Sequence, residues 1–433
     1  MKSKQDRRAR LAAGTAIVTL ALASGAAGPL AAQDGDTVVR FMVPQWASSS
    51  DRRIERQIAF QSVIDAFNDA DNGMRVQEVV ANVDQASVAQ AISEGAVDAV
   101  WINTQWYAGL MAGGALADLD DHLDAAEIAE YFDWTIAALR SVNGELGCLW
   151  HNTDTPLVFY DATVIETPPA TWSEVRATAE RVKAETGKFG MSYPMMHWSQ
   201  FNMGMFNAAG GQVVDDTGRP VLFEGANREI LTGMFDFYAG LFADGLIPAQ
   251  NATARHADHL PAVYAGDVAM FLSNSNANIR SLQPNLPPDE FANWRSAPLP
   301  APDGVAQGNF VAGGWLICPV ANDDPAIEAA AAAWTLHATG PRANRDTNKA
   351  GGWLPTRMSV YAADAFFVQD EAMQTAAAAL DAGGWAVPFA PIYPAINNAL
   401  NTAMSAVGSG QASVADALAT AEADVMREFA AMR

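Results

Sequence analysis

Cysteine is almost missing from this chain. Two in 433 residues, Cys148 and Cys318, are too few for a disulfide scaffold, and the absence of any C-x-x-C spacing excludes the usual zinc and dithiol motifs. The pair is either one bridge or two inert buried thiols. Histidine is scarce too, six in all. His256 and His259 are spaced to share a helix face, but without a third ligand nearby they predict no metal site. Basic residues are outnumbered, 26 Lys and Arg against 49 Asp and Glu, and the formal charge of −23 argues against nucleic acid and anionic membranes, both of which would repel the chain. No G-x-S-x-G elbow and no G-x-x-x-x-G-K-[ST] loop is present, which removes the common serine-hydrolase and nucleotide-binding signatures. The acidic run from Asp69 resembles a calcium loop only at its start, because the twelfth position is Val80 and supplies no bidentate carboxylate.

What is present is an ordinary folded composition, 50% hydrophobic and 17% charged, over a length that exceeds one core and predicts two. Residues 1–32 read as a signal peptide: Lys2, Lys4, Arg7, Arg8 and Arg10 precede an apolar run from Leu11, and small residues offer a cut near Ala32. The competing reading is a membrane anchor over Leu11 to Leu30, but Gly, Ala and Thr make that run weakly apolar for a permanent span. Arg7 and Arg8 lack the context of a twin-arginine signal, and no cysteine at the cut provides a lipid anchor. The mature product is expected free in the periplasm.

After the signal, VVRFMVPQW alternates and stops at Pro44, a strand that delivers Gln45 and Trp46 to its carboxyl end. Ile54, Ile58, Val63, Ala66 and Phe67 follow at near-helical spacing, then a strand MRVQEVVA, a short helix SVAQAISEG and a strand VDAVWIN. Strand, helix, strand, helix, strand predicts a parallel sheet with right-handed crossovers, whose ligands bind beyond the carboxyl ends. Trp46, Asn103 and Trp106 occupy those ends; each ring is either a cleft face or a capped core tryptophan. Further on, Thr171 and Glu174 form a capping box, the segment from Asn227 to Asp244 is an amphipathic helix closed by Gly245, and Asp324 with Pro325 starts another helix.

Between Gly187 and Asn274, aromatic and amide side chains (Trp198, Gln200, Asn202, Asn207) form a rim, and the polar turn Ser273–Asn274 closes the segment. Rings and amides suit a neutral, hydroxyl-rich ligand, since a sugar offers apolar C–H faces and a ring of donors and acceptors. Three stretches carry a resemblance: Met195 to Gly218 with the helix ending DGLIP and the segment YAGDVAMF; GELGCLWHNTDTPLVFYDATVIETPPATW; and GGWLICPVAND, followed later by GGWLPTRMSV. Together they are similar to the family 1 extracellular solute-binding proteins, the sugar-capturing periplasmic components of ABC importers, distantly similar to maltose-binding protein. The resemblance spans about Val38 to Arg433.

It implies an α/β fold of the two-lobed periplasmic-binding-protein type, hinge-linked around a cleft, with a first lobe of 34–147 plus about 275–318 and a second of 148–274 plus about 319–433. Asn152 and Asp154 at one crossing, Ser273 and Asn274 at another, Gly313, Gly314 and Trp315 on the return strand, Trp353, and Tyr393 would border the cleft with Trp198, Asn202 and the strand-end residues. The form WHNTD departs from the family's proline-centred crossing. Either Trp198 or Trp315, replaced by alanine, is expected to weaken binding. The implied function is capture of a carbohydrate or polyol by a monomer and its delivery to permease subunits, with no cofactor, no metal and no catalysis. The alternatives are a non-sugar solute such as a polyamine or glycerol phosphate, or a periplasmic glycoside hydrolase, which needs two carboxylates flanking one bond. No such pair stands in a recognisable context here.

Overall fold

The computed structural model of the chain describes residues 35–274, 276, 281–305, 311–381 and 385–432; the export signal read at 1–32 lies outside the described residues. The fold is α/β, and the chain forms two units. Unit 1 holds the described residues up to Ile128 with Leu139–His151 and Trp315–Thr347; unit 2 holds Ala129–Ala138, Asn152–Gly314 and Asn348–Arg433. This division differs from the sequence expectation, which put all of 34–147 in the first lobe and 148–274 in the second: Ala129–Ala138 belongs to unit 2 and 148–151 to unit 1. The described residues of 275–314 stay with unit 2, where Trp294–Ala297 pairs into its sheet, and 320–347 returns to unit 1, where Pro325–Thr339 packs on the sheet.

Unit 1 begins as its residue pattern requires. Strand β1 (Thr37–Pro44) is followed by helix α1 (Ile54–Asn68), β2 (Met74–Ala81), α2 (Gln85–Ser93), β3 (Ala99–Asn103) and α3 (Thr104–Ala112), with β1 parallel to both β2 and β3. The one arginine inside β1, Arg40, lies across Asp98, donating to both carboxylate oxygens from Nη2 and Nε at 2.7 and 2.8 Å. The fork geometry explains how Asp98, only 1% exposed, is tolerated beside the first residue of β3. The buried face of α1 is Ala59, Phe60, Val63, Ile64 and Phe67; Ile54 and Ile58, expected to be on it, are exposed because they lie on the opposite side of the helical wheel.

The chain re-enters the sheet through β4 (Leu149–Asp154), and the strand order in unit 1 is β4, β9, β3, β1, β2, where β9 is Val311–Pro319 and runs antiparallel to β3. Cys148, immediately before β4, is bonded to Cys318 in the neighbouring β9, with Cα atoms 4.2 Å apart. Of the two alternatives left by the sequence, the bridge is the one observed.

Unit 2 is built on β5 (Pro156–Asp161), α4 (Trp172–Thr186), β6 (Phe189–Ser192), α5 (Gly225–Ala243), β7 (Val268–Asn274) and β8 (Trp294–Ala297), with sheet order β6, β7, β5, β8. The capping box at Thr171 and Glu174 starts α4, and Gly187 ends it at φ +73°. Helix α4 then lies directly on β6: a Cβ on Gly190 would fall 2.2 Å from the Ala179 Cα, so only glycine permits this approach. Leu231, Met234, Phe235, Tyr238 and Leu241 form the buried stripe of α5. Two C-terminal helices, α6 (Tyr393–Gly408) and α7 (Val414–Ala431), pack on each other and on α5. Among the described residues no helix is long and apolar enough to cross a membrane.

Two histidines are locked inside these cores. His151 is 1% exposed in unit 1 and burial pulls its imidazole down to about 3; His259, 1% exposed in unit 2, is held at about 4 by burial, against a hydrogen bond to the Leu272 carbonyl. Both folded values lie below the ordinary unfolded one, so between them the unfolded chain binds more protons and stability is lost as pH falls from about 6.5. At pH 5 each is expected to cost about 2 kcal/mol relative to pH 7. Urea unfolding at the two pH values checks this: His151→Gln should flatten the acid slope, and an unchanged slope would assign the loss to other groups.

Candidate functional site

In unit 1 the candidate residues meet at one edge. Pro44 ends β1 and places Trp46 in the following turn; Asn103 ends β3 and caps α3 by accepting the Gln105 N–H at 3.1 Å, which puts Trp106 in the first turn of that helix. Antiparallel pairing sets Trp315 of β9 directly opposite Asn103. The three indoles, each half-buried, touch edge to face: Trp46 and Trp315 have centroids 4.9 Å apart, Trp106 and Trp315 5.9 Å. Beneath them Trp101 is 1% exposed and meets Trp46 at 6.0 Å and 90°. The result is a platform of partly open aromatic faces at the carboxyl ends of parallel strands, the position where open α/β sheets bind ligands. Since the Asn103 oxygen is already accepting, what this side chain offers a ligand is its amide N–H.

A residue the sequence reading passed over supports the platform. Glu78 of β2 accepts the Ser49 N–H at 3.1 Å and the Ser49 hydroxyl at 2.5 Å, pinning the turn that carries Trp46. Burial raises its carboxyl above the usual range against the lowering effect of those hydrogen bonds. A glutamate inside an apolar strand was the available signal. The void below, lined by Phe60, Glu78, Trp101, His151 and Trp334, measures about 10 Å³ and holds a water at most.

Unit 2 gathers a polar cluster. Register pairs Pro156 with Asn274, which brings the end of β7 beside Asp154, two residues upstream. Asn274 donates to Asp154 Oδ2 at 2.6 Å and lies 3.3 Å from His256 Nε2. His256 is exposed and packs 5.3 Å from half-buried His197, which in turn sits 4.7 Å from the buried Phe201 ring. Burial first, then the nearby His256, lowers the His197 imidazole to about 3 and keeps it neutral. Asn152 leaves β4 on the same face as Asp154 and is 2% exposed. Gly313 and Gly314 are buried, and the Gly313 carbonyl accepts the Thr153 hydroxyl at 2.8 Å.

Other expected site residues lie elsewhere, and these are corrections. Trp198 is fully buried in the unit 2 core, its ring 5.8 Å from Phe206 and its backbone N–H donated to the Asn401 side-chain oxygen at 2.7 Å. Asn202 is fully buried too, accepting the Tyr193 hydroxyl and donating to the Met195 carbonyl at 3.3 Å. Tyr393 is a core residue of α6 with its hydroxyl on the Met203 sulfur. Trp353, 3% exposed, packs under Gly351 so closely that an added Cβ would fall 2.0 Å from its ring. Ser273 leaves β7 on the face opposite to Asn274, beside Phe271 of the second unit 2 core. Asn207 is half-buried in the helix Met203–Ala208, and the Gln200 side chain lies outside the described residues. His256 and His259 do not share a helix face: one reaches Asn274 and the other the Leu272 carbonyl. Among the described residues no group of three or more His, Cys, Asp or Glu could hold a metal ion.

The fold is that of the two-lobed periplasmic binding proteins. A family model described as bacterial extracellular solute-binding protein matches residues 62–375, and the chain belongs to that family. Among solved structures it is similar to the GacH receptor of Streptomyces glaucescens GLA.O, determined unliganded and in complex with acarbose and an acarbose homolog, at 20% identity and TM-score 0.74 over 89% of this chain and 96% of that one. It is also similar to the cyclic alpha-maltosyl-1,6-maltose binding protein from Arthrobacter globiformis, at 19% identity and TM-score 0.71 over 90% and 98% of the two chains. Family and neighbours are binding proteins rather than enzymes.

Proposed function

We propose that this chain captures a carbohydrate, a sugar, oligosaccharide or polyol, and delivers it to the permease of an ABC importer, acting as a monomer in the periplasm after its signal peptide is removed. The observation that carries the reading is the platform of Trp46, Trp106 and Trp315: three half-buried indoles offer flat apolar faces where a core would have hidden them. Sugar C–H faces match such rings, and the amide of Asn103 beside them supplies donors for hydroxyls. The binding of acarbose and of a cyclic maltosyl-maltose by similarly folded proteins supports the same ligand class. Asp154 and Asn274, with Asn152 and the Gly313–Gly314 backbone, are the residues proposed from unit 2.

The test is a thermal-shift panel on refolded mature protein, comprising monosaccharides, α- and β-linked oligosaccharides, polyols, glycerol phosphates, polyamines and amino acids. A ligand at a hundred times its Kd stabilises by about 2.7 kcal/mol, enough to move the midpoint visibly. Response to polyamines or phosphates alone would overturn the carbohydrate, and turnover of a glycoside would overturn the binding role. With the responding carbohydrate, Trp315→Ala is expected to weaken binding by more than about tenfold while leaving the circular dichroism spectrum unchanged. Wild-type affinity in that variant would remove the platform from the site.

A further inference from the structure

The Asn274 amide has a fixed orientation. Its nitrogen lies 2.6 Å from Asp154 Oδ2 and 3.3 Å from His256 Nε2. Turned over, the amide oxygen would face the carboxylate oxygen with no proton between them, so the N–H groups belong on this side. The consequence falls on the other end of the group. Asn274 is 4% exposed, and its Oδ1 is buried with no hydrogen-bond partner. A buried carbonyl oxygen without a donor is rare in a settled core and needs a reason. His197 Nδ1, 5.3 Å ring to ring from His256, is likewise buried without a partner. An orphaned amide oxygen beside a carboxylate marks a place where a donor is missing.

We propose that unit 2 contributes a hydroxyl-reading half-site, in which Asp154 and Asn274 Oδ1 accept hydrogen bonds from neighbouring hydroxyls of a neutral carbohydrate, and His256 and His197 hold that pair of acceptors in place. The inference rests on the carbohydrate reading above and names what selects the ligand within it. His256 acts through Asn274: accepting an amide N–H on Nε2 leaves its ring proton on Nδ1 and fixes the amide against rotation. The rings of Phe201 and His256 lie within 29° of parallel at 6.3 Å, so the fully buried Phe201 backs the exposed His256 ring. The carboxylate of the cluster already takes an amide N–H, and the described side chains named beside it are a neutral amide and imidazoles, which suits hydroxyls. Neither histidine was marked by a motif; His256 sits in a loop 18 positions before its partner.

Calorimetric titration of the full mature chain tests this with maltose, maltotriose, cellobiose, xylobiose, sucrose, glucose, mannitol and spermidine. The best carbohydrate is then titrated into Asn274→Ala and into His256→Ala, the second at an exposed position where folding is not at risk. Expected are losses of about tenfold or more for Asn274→Ala and about threefold or more for His256→Ala. The per-O-methylated form of the same carbohydrate, which keeps the shape and loses every donor, should lose at least about a hundredfold on wild type. Binding by wild type with both variants unchanged would overturn the half-site and leave the carbohydrate reading standing. No binding of any carbohydrate would overturn both, and spermidine binding more tightly than every carbohydrate would replace hydroxyl by ammonium as the group read here.

Discussion

Removal of the Cys148–Cys318 bridge, by reduction or as the double variant Cys148→Ala/Cys318→Ala, is expected to lower stability by about 5 kcal/mol in the chain-entropy account. The size follows from the loop: the two cysteines are 170 positions apart, and the closed loop contains all of 152–314, the longest segment of unit 2. Cross-linking removes open-chain conformations mostly from the unfolded state, and the effect grows with the logarithm of loop length. The folded structure should change little, because the bridge joins neighbouring strands already aligned in the sheet. Guanidine unfolding with and without reductant measures the difference. Thiol titration of unfolded, unreduced protein should find no free thiol; two would refute the bridge.

Trp198→Ala is expected to destabilise by about 3–5 kcal/mol, the range for deleting a large aromatic from a packed core. The ring has no exposed surface and belongs to the main core of unit 2. Affinity per folded molecule should stay within about twofold of wild type, in contrast to Trp315→Ala. Trp198→Phe should recover part of the stability, since a benzene ring refills much of the cavity. Unfolding midpoints and calorimetric titration of the two variants separate the roles; a large loss of affinity with unchanged stability would return Trp198 to the site.

These two tryptophans show what the sequence made legible. Trp46 and Trp106 sit where strands end, and strand ends are marked locally by proline, by a capping asparagine and by the change of period; Trp315 lies in the middle of β9 and joins them through its pairing with Asn103 at the end of β3. Trp198 and Asn202 lie on a π-helical turn, Trp198–Asn202, whose side-chain directions follow neither period 2 nor period 3.6. An aromatic and an amide look equally suited to a cleft or to a core; only the turn decides, and it pointed them inward. The parallel β1–β2–β3 arrangement was readable because alternation and helix spacing recur in turn. The partnership of Asp154, Asn274 and His256 was not, because it depends on the register of β5 against β7. Placement of 320–347 depended likewise on β9 pairing with β3, a contact between distant parts of the chain.

The segmented make-up of unit 1 also sets an order of events. Its sheet is completed by β9, which ends at Pro319, and its last residues run to Thr347 of 433. A chain that emerges from its N-terminus first therefore presents β1, β2 and β3 long before the strand that borders β3 exists. Those residues must wait with their apolar faces uncovered while all of 152–314 passes, a period when holdase chaperones would find their longest exposure. For the same reason, truncation anywhere before Thr347 should yield no folded unit 1, however much of its first three strands is kept.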